Sequence, residues 1–207
     1  MRPARFITLD GLDGSGKTSQ QAVLAAWLRG RGLEVVTCRD PGSTPAGDAV
    51  RAILLDRHDL ALAPTTEMLL YMAARAQLVA EIVRPALARG AWVVSDRFLL
   101  ANVVYQGHAG GLGRDTVRAV GAIATDGLAP DLTIVLDVDL ETAARRLARP
   151  LDRLERRGDE YRRRVREGYL AEARAAPEHV VVIDGAAAAA EVSERIAAEV
   201  VRRFPEI

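Results

Sequence analysis

Near its start the chain reads Gly11-Leu12-Asp13-Gly14-Ser15-Gly16-Lys17-Thr18, which satisfies G-x-x-x-x-G-K-[ST] at every fixed position. An apolar run at residues 4–9 leads into it. A segment with helical spacing, residues 18–28 with Val23, Leu24, Trp27 and Leu28 on one side, leads out. A chance glycine turn before a helix is the bland alternative, and the order of strand, loop and helix disfavours it. The glycines let successive backbone N–H groups turn toward one anion. The helix behind them adds the positive end of its dipole. Lys17 can reach the outer phosphates of a nucleoside triphosphate, and the Thr18 hydroxyl is a ligand for Mg²⁺. Residues Gly11, Leu12, Asp13, Gly14, Ser15, Gly16, Lys17, Thr18 and Ser19 are therefore assigned to a nucleoside triphosphate, with Mg²⁺ as cofactor.

This loop fixes the ligand but not the reaction, since GTPases, motor ATPases and small-molecule kinases share it. Lys17 is the only lysine and Asn102 the only asparagine of the chain. An Asn-Lys-x-Asp guanine reader is thereby excluded. The remaining basic residues are all arginine, which isolates Lys17 as a place where a compact charge on a flexible stem is needed. Net charge is zero, so no general basic field attracts a nucleic-acid polymer. Cys38 stands alone, which rules out an internal disulfide and a cysteine-based zinc site and suits a reducing compartment. His58, His108 and His179 have no metal-ligand spacing. No run approaches the roughly 18 apolar residues of a membrane span, and the N-terminal apolar run is too short for a secretion signal. A cytoplasmic protein without membrane contact is expected.

Further apolar runs at residues 34–38, 92–95, 132–136 and 180–183 alternate with helical segments. Five short strands alternating with helices predict a parallel α/β sheet, covered on both faces, with ligands at the carboxyl ends of the strands. Residues 65–83 read as one long helix ended by Pro85 and Gly90. Gly107, Gly110, Gly111 and Gly113 read as a flexible loop. Residues 1–207 are expected to form a single domain.

Four further segments establish a resemblance to the thymidylate kinase family over nearly the whole chain. Arg39-Asp40-Pro41-Gly42-Ser43-Thr44-Pro45-Ala46-Gly47 resembles R-E-P-G-G-T-P-x-G. Asp96-Arg97-Phe98, then Asn102 and Tyr105-Gln106-Gly107, resembles D-R-[YHF]-x-x-S-x-x-A-Y-Q-G. Pro130-Asp131-Leu132-Thr133 with Leu136-Asp137-Val138 resembles P-D-L-T-x-x-L-D-V, and Asp152-Arg153-Leu154-Glu155 resembles D-R-x-E. The resemblance implies the P-loop NTPase fold, phosphorylation of dTMP by Mg·ATP, and a homodimer. It also implies an acceptor site made by Asp13, Arg39, Pro41, Arg51, Tyr71, Arg75, Arg97, Asn102, Tyr105 and Gln106. In the family the matching aromatic stacks on thymine and the matching arginine donates to its O4. Tyr71 and Arg75 lie four apart, on one face of a helix. On that helix alone Tyr71 reads as core and Arg75 as a solvated partner; the surrounding motifs reverse the reading. Asn102 can pair with the thymine N3–H edge, and the family's tyrosine at Tyr105 excludes a 2′-hydroxyl. By the same likeness Asp13 meets the 3′-hydroxyl, and Asp96 organises Mg²⁺ through water.

In-line transfer between two anions needs positioning and charge neutralisation rather than a base. Arg97 and Arg51 are the candidates for the acceptor phosphate. Mobile charge over the transferring group is expected from a lid at about residues 145–157, in particular Arg149 and Arg153. Asp40, Ser43 and Ala101 depart from the family pattern. A kinase of another nucleoside monophosphate, or a nucleotide-binding regulator without turnover, is the alternative.

Overall fold

The computed structural model describes residues 3–147 and 157–207. Five parallel strands form one sheet in the order β2-β3-β1-β4-β5: β1 (Phe6–Gly11), β2 (Val35–Arg39), β3 (Trp92–Asp96), β4 (Leu132–Asp137) and β5 (Val180–Asp184). Every residue of β1 is buried, which is what a run such as Phe6-Ile7-Thr8-Leu9 requires of a central strand covered on both faces. The register aligns Leu9 with Asp96 and Gly11 with Leu136, while Arg39 pairs with Asp96. The loop after β1 and the ends of β2, β3 and β4 therefore open on one edge of the sheet.

On one face α1 (Lys17–Arg29) and α9 (Ala189–Arg203) pack Leu24, Leu28, Val192, Ile196 and Val200 against Ile7, Leu9 and Ile134. The other face carries α3 (Pro64–Leu78) and α8 (Asp159–Ala175), and α6 (Arg114–Thr125) packs its Val117 against Met68 and Met72 of α3. Local chemistry sets several helix starts. In α2 (Pro45–Leu55) the Thr44 hydroxyl accepts from Gly47 N, and proline opens the helix. In α7 (Leu140–Arg146) Asp139 caps Thr142 N.

Two regions differ from the sequence expectation. The helix predicted over residues 65–83 continues past Pro85, as α3, a π-helical turn (Val79–Val83) and α4 (Arg84–Ala88). Proline clashes with the carbonyl four residues back in an α-register, and the wider turn ahead of it accommodates the ring. The short helix α5 (Leu99–Asn102) likewise runs into a π-helical turn, Val103–Ala109, so Gly107 is helical and not part of a flexible loop. Its glycine serves a close approach instead: a Cβ there would lie 2.9 Å from Arg114 Cα.

Candidate active site

The loop after β1 folds as its motif requires. Gly11 and Gly14 have φ of 133° and 85°, and a Cβ on either would fall within 2.4 Å of a backbone carbonyl, of Leu136 and Ala143 respectively. Leu12 contributes its backbone only, since its side chain is core; its carbonyl accepts from Lys17 Nζ at 2.8 Å. Lys17 also donates to Gly11 O at 3.2 Å and lies 3.8 Å from Asp13. Burial, and then the Arg97 charge, lower its pKa. The Ser15 hydroxyl is buried with no hydrogen-bond partner among the described residues, a polar group set for an anion inside the loop.

The Thr18 hydroxyl donates to Asp96 Oδ2 at 2.6 Å, which joins the first turn of α1 to the end of β3. A hydroxyl and a carboxylate are the hard oxygen donors that Mg²⁺ takes, usually with waters completing its shell. The residues present fit that ion. Lys17, Thr18 and Ser19 line a cleft of about 1450 Å³ together with Asp96, Arg97 and Arg146. Arg146, at the end of α7, also donates to Gly185 O at 2.6 Å and so ties that helix to the loop after β5.

A second cleft, of about 530 Å³, lies beside the first. Its walls include every acceptor-side residue expected from the sequence except Arg39. Arg39 is set apart because it ends β2 on the triphosphate side, where it pairs with Asp48 at 3.0 Å. Asp40, Leu55 and Ala101 belong to the acceptor cleft as well. Asp40 stood inside a recognisable motif, but only its fold partner reveals its task. Its Oδ2 accepts from Arg75 Nε at 2.6 Å, with the two side chains 0% and 1% exposed. Burial raises the Asp40 pKa, and Arg75 opposes that rise. Arg75 Nη2 further donates to Phe98 O at 3.2 Å and to Asn102 Oδ1, and Nη1 to Met72 Sδ at 3.1 Å. Those bonds use four of the five guanidinium hydrogens, and the fifth is on the Nη1 side. Tyr71, one turn earlier on α3, is buried beside Leu54.

Arg97 occupies the seam of the two clefts. Its Nη2 donates to Asp13 Oδ1 at 2.7 Å, its Nη1 to Gly11 O at 3.0 Å and to the Tyr169 hydroxyl at 3.1 Å, and Tyr105 lies under its guanidinium. Burial works against its charge, but Asp13 above all holds its pKa well above the usual value. Tyr169 donates in turn to Asp10 Oδ1 at 3.2 Å, and burial pushes the Asp10 carboxyl up to about 6. Arg51 donates to Pro41 O at 2.9 Å, and burial, then Arg39, lowers its pKa. Asp13, Asp40, Arg51 and Arg97 line both clefts. The expected lid residues Arg149 and Arg153 lie outside the described residues.

A model of the thymidylate kinase family matches residues 9–196. The chain belongs to the thymidylate kinase family. A thymidylate kinase of Chromohalobacter salexigens is 46% identical over 99% of this chain and 98% of its own length. One from Caldanaerobacter subterraneus subsp. tengcongensis is 47% identical over 87% of each. The crystal structure of thymidylate kinase from Ehrlichia chaffeensis superposes with a TM-score of 0.79 at 28% identity, covering 96% of this chain and 99% of that one. For a thymidylate kinase family member, the sheet order and the paired clefts are the parts of the fold that bear on chemistry. Tyr169 and Asp10, behind Arg97, escaped the sequence reading because hydrogen bonds across 72 and 159 residues leave no local pattern.

Proposed function

We propose that the chain transfers the γ-phosphoryl group of ATP to dTMP, giving ADP and dTDP. The observation that carries this reading is the shared wall of the two clefts, where Asp13 and Arg97 face both a triphosphate loop and a pocket containing Tyr71, Arg75 and Asn102. The loop N–H groups and Lys17 hold the donor phosphates. Arg97 and Arg51 hold the acceptor phosphate, whose dianion is already a competent nucleophile. An oxygen of that phosphate bonds to the γ-phosphorus as the bond to the β–γ bridging oxygen of ATP breaks, and ADP leaves with that oxygen. Thr18 and Asp96 would hold Mg²⁺, which neutralises charge on the donor phosphates. What the protein adds is alignment and fixed positive charge between two anions.

On the acceptor side Tyr71 stacks on the base, the remaining Arg75 hydrogen meets O4, and the second lone pair of Asn102 Oδ1 meets N3–H. Tyr105, whose pKa burial raises well above its ordinary value, stays a neutral hydroxyl below the sugar. Asp13 takes the 3′-hydroxyl. The working protein is a cytoplasmic homodimer on this reading. Leu69 on α3 is half exposed and Ile123 on α6 is 82% exposed, two apolar side chains that a second copy would cover.

An ADP-release assay with Mg·ATP against dTMP, dUMP, dCMP, dGMP, UMP and AMP tests the proposal, with Lys17→Ala as control. Preferential turnover of dTMP that Lys17→Ala abolishes is expected. Equal or better turnover of another monophosphate would retain the kinase and discard the roles given to Tyr71, Arg75, Asn102 and Tyr105.

A further inference from the structure

Asn102 does not stand alone in the acceptor cleft. Its Nδ2 donates to Gln106 Oε1 at 2.7 Å, and Gln106 Nε2 donates to Glu67 Oε1 at 2.9 Å. Glu67 Oε2 accepts from Arg157 Nη2 at 2.7 Å. Glu67, Gln106, Asn102, Arg75 and Asp40 are all buried, and they form one line of hydrogen bonds that ends at a carboxylate on both sides.

A primary amide has two ends, a carbonyl that accepts and an NH₂ that donates, and little difference in shape between them. What decides which end faces the pocket is the partner chemistry. A carboxylate that faces an arginine accepts through both oxygens, so Gln106 must turn its NH₂ toward Glu67. Its carbonyl then faces Asn102, which must answer with NH₂. The carbonyl of Asn102 is left on the Arg75 side, beside the cleft. Arg75 has donors only, so the far end of the line imposes the same sense. Two amides are thus aligned head to tail between an acceptor-only group and a donor-only group.

We propose that Glu67 is a positioning residue for base selectivity: through Gln106 it holds, together with Arg75 at the other end, the sense of the Asn102 amide, so that the cleft presents an acceptor to the pyrimidine N3 position. The inference rests on the acceptor reading above and extends it to a residue that touches no substrate. Thymine and uracil carry a hydrogen on N3, whereas neutral cytosine carries a lone pair there and an amino group where thymine has O4. An Asn102 carbonyl favours the former. A rotated Asn102, presenting NH₂, would accept cytosine at N3.

Glu67→Gln removes the acceptor-only end while keeping volume and hydrogen-bonding capacity, so Gln106 gains a second sense and Arg75 alone is left to hold the sense of Asn102. The measured quantity is the ratio of kcat/KM for dTMP over dCMP, with KM for ATP alongside. The ratio is expected to fall at least about tenfold, as a mismatched hydrogen bond in a buried site implies, with KM for ATP unchanged. The transposed variant Glu67→Gln/Gln106→Glu puts a carboxylate next to Asn102 again and is expected to restore the ratio to within about threefold. That rescue separates the relay from a merely structural role, because the Glu67–Arg157 pair is lost in both variants. Gln106→Leu, which keeps that pair, breaks the relay at its middle and is expected to lower the ratio as Glu67→Gln does. A selective wild type whose Glu67→Gln and Gln106→Leu variants stay equally selective would overturn the inference and leave the function standing. A wild type that turns over dCMP as readily as dTMP would sink the pocket reading, and this inference with it.

Discussion

The Asp40–Arg75 pair is the interaction whose loss the structure prices most sharply. Neither side chain reaches water, so removing one partner leaves the other as an uncompensated buried charge. Such losses cost about 3–5 kcal/mol, against about 0.2–1 kcal/mol for an exposed pair. In a protein of this size each kcal/mol moves Tm by about 2–4 °C. Asp40→Ala is therefore expected to lower Tm by about 6–20 °C, the product of those two ranges. Arg75→Met should cost at least as much. It strands the Asp40 carboxylate and also takes donors from Phe98 O and Asn102 Oδ1, at about 1–3 kcal/mol for each buried acceptor left unpaired. The decisive comparison is the double variant. In the Arg75→Met background, Asp40→Ala deletes a stranded charge rather than a partner, so it should be neutral or stabilising. Thermal denaturation of the four proteins at one protein concentration completes the cycle. If Asp40→Ala costs the same in both backgrounds, the two groups are not coupled and the reading of Asp40 as the buried partner of Arg75 is wrong.

Asp10 gives a pH-dependent counterpart. Its folded pKa of about 6 lies above the ordinary 3.8, so the folded protein binds this proton more tightly than the unfolded chain. Its contribution is most favourable below the unfolded value and declines as pH rises toward 6. Asp10→Asn should gain on the wild type between those limits, by on the order of 3 kcal/mol above pH 6; a difference in Tm that is flat with pH would refute this. Lys17→Arg is expected to lose at least about a hundredfold in kcat, because a planar fork cannot follow the path by which Nζ curls onto the loop carbonyls; retained turnover would remove Lys17 from the mechanism. Chelation with EDTA should abolish turnover and Mg²⁺ restore it, with Asp96→Asn raising the Mg²⁺ needed about tenfold or more; an unchanged requirement would exclude Asp96. Arg149→Ala and Arg153→Ala, if either arginine meets the transferring group, cost far more than about twofold in kcat; two near-normal variants would end the lid assignment.

The loop at residues 11–18 was legible because its chemistry is local. A strand, a glycine turn and a helix start carry their whole meaning in adjacent residues. The three central strands were legible for a similar reason, since a strand buried on both faces is simply an apolar run. Their ends were less so. The chain predicted to leave β1 after Leu9 stays in the sheet to Gly11, as pairing with Leu136 continues it. Pro85 and Gly107 misled the reading, since a π-helical turn lets a helix pass a proline and a glycine serves close packing as often as flexibility. In the site, Arg75 was found through the family resemblance and not from its spacing to Tyr71, and its burial with Asp40 was not foreseen, because the pair spans 35 residues. Arg39 was expected in the acceptor cleft on motif likeness, and only the register of β2 against β3 puts it on the other side of the seam.

Arg97 and Ser43 share a backbone conformation that few residues other than glycine adopt, with φ of 70° and 69°. Each stores about 1–3 kcal/mol of strain. A search for stabilising substitutions guided by backbone preference alone would nominate glycine at both. The two answers would differ. At Ser43, where the family pattern has glycine, the change relaxes the turn and forfeits only the hydroxyl that accepts from Arg39 N. At Arg97 the same relaxation would remove a cation that lines both clefts and is paired with Asp13. Selection for thermal tolerance and selection for turnover therefore pull this single position in opposite directions, and a thermostable descendant of this chain should have found its gains elsewhere.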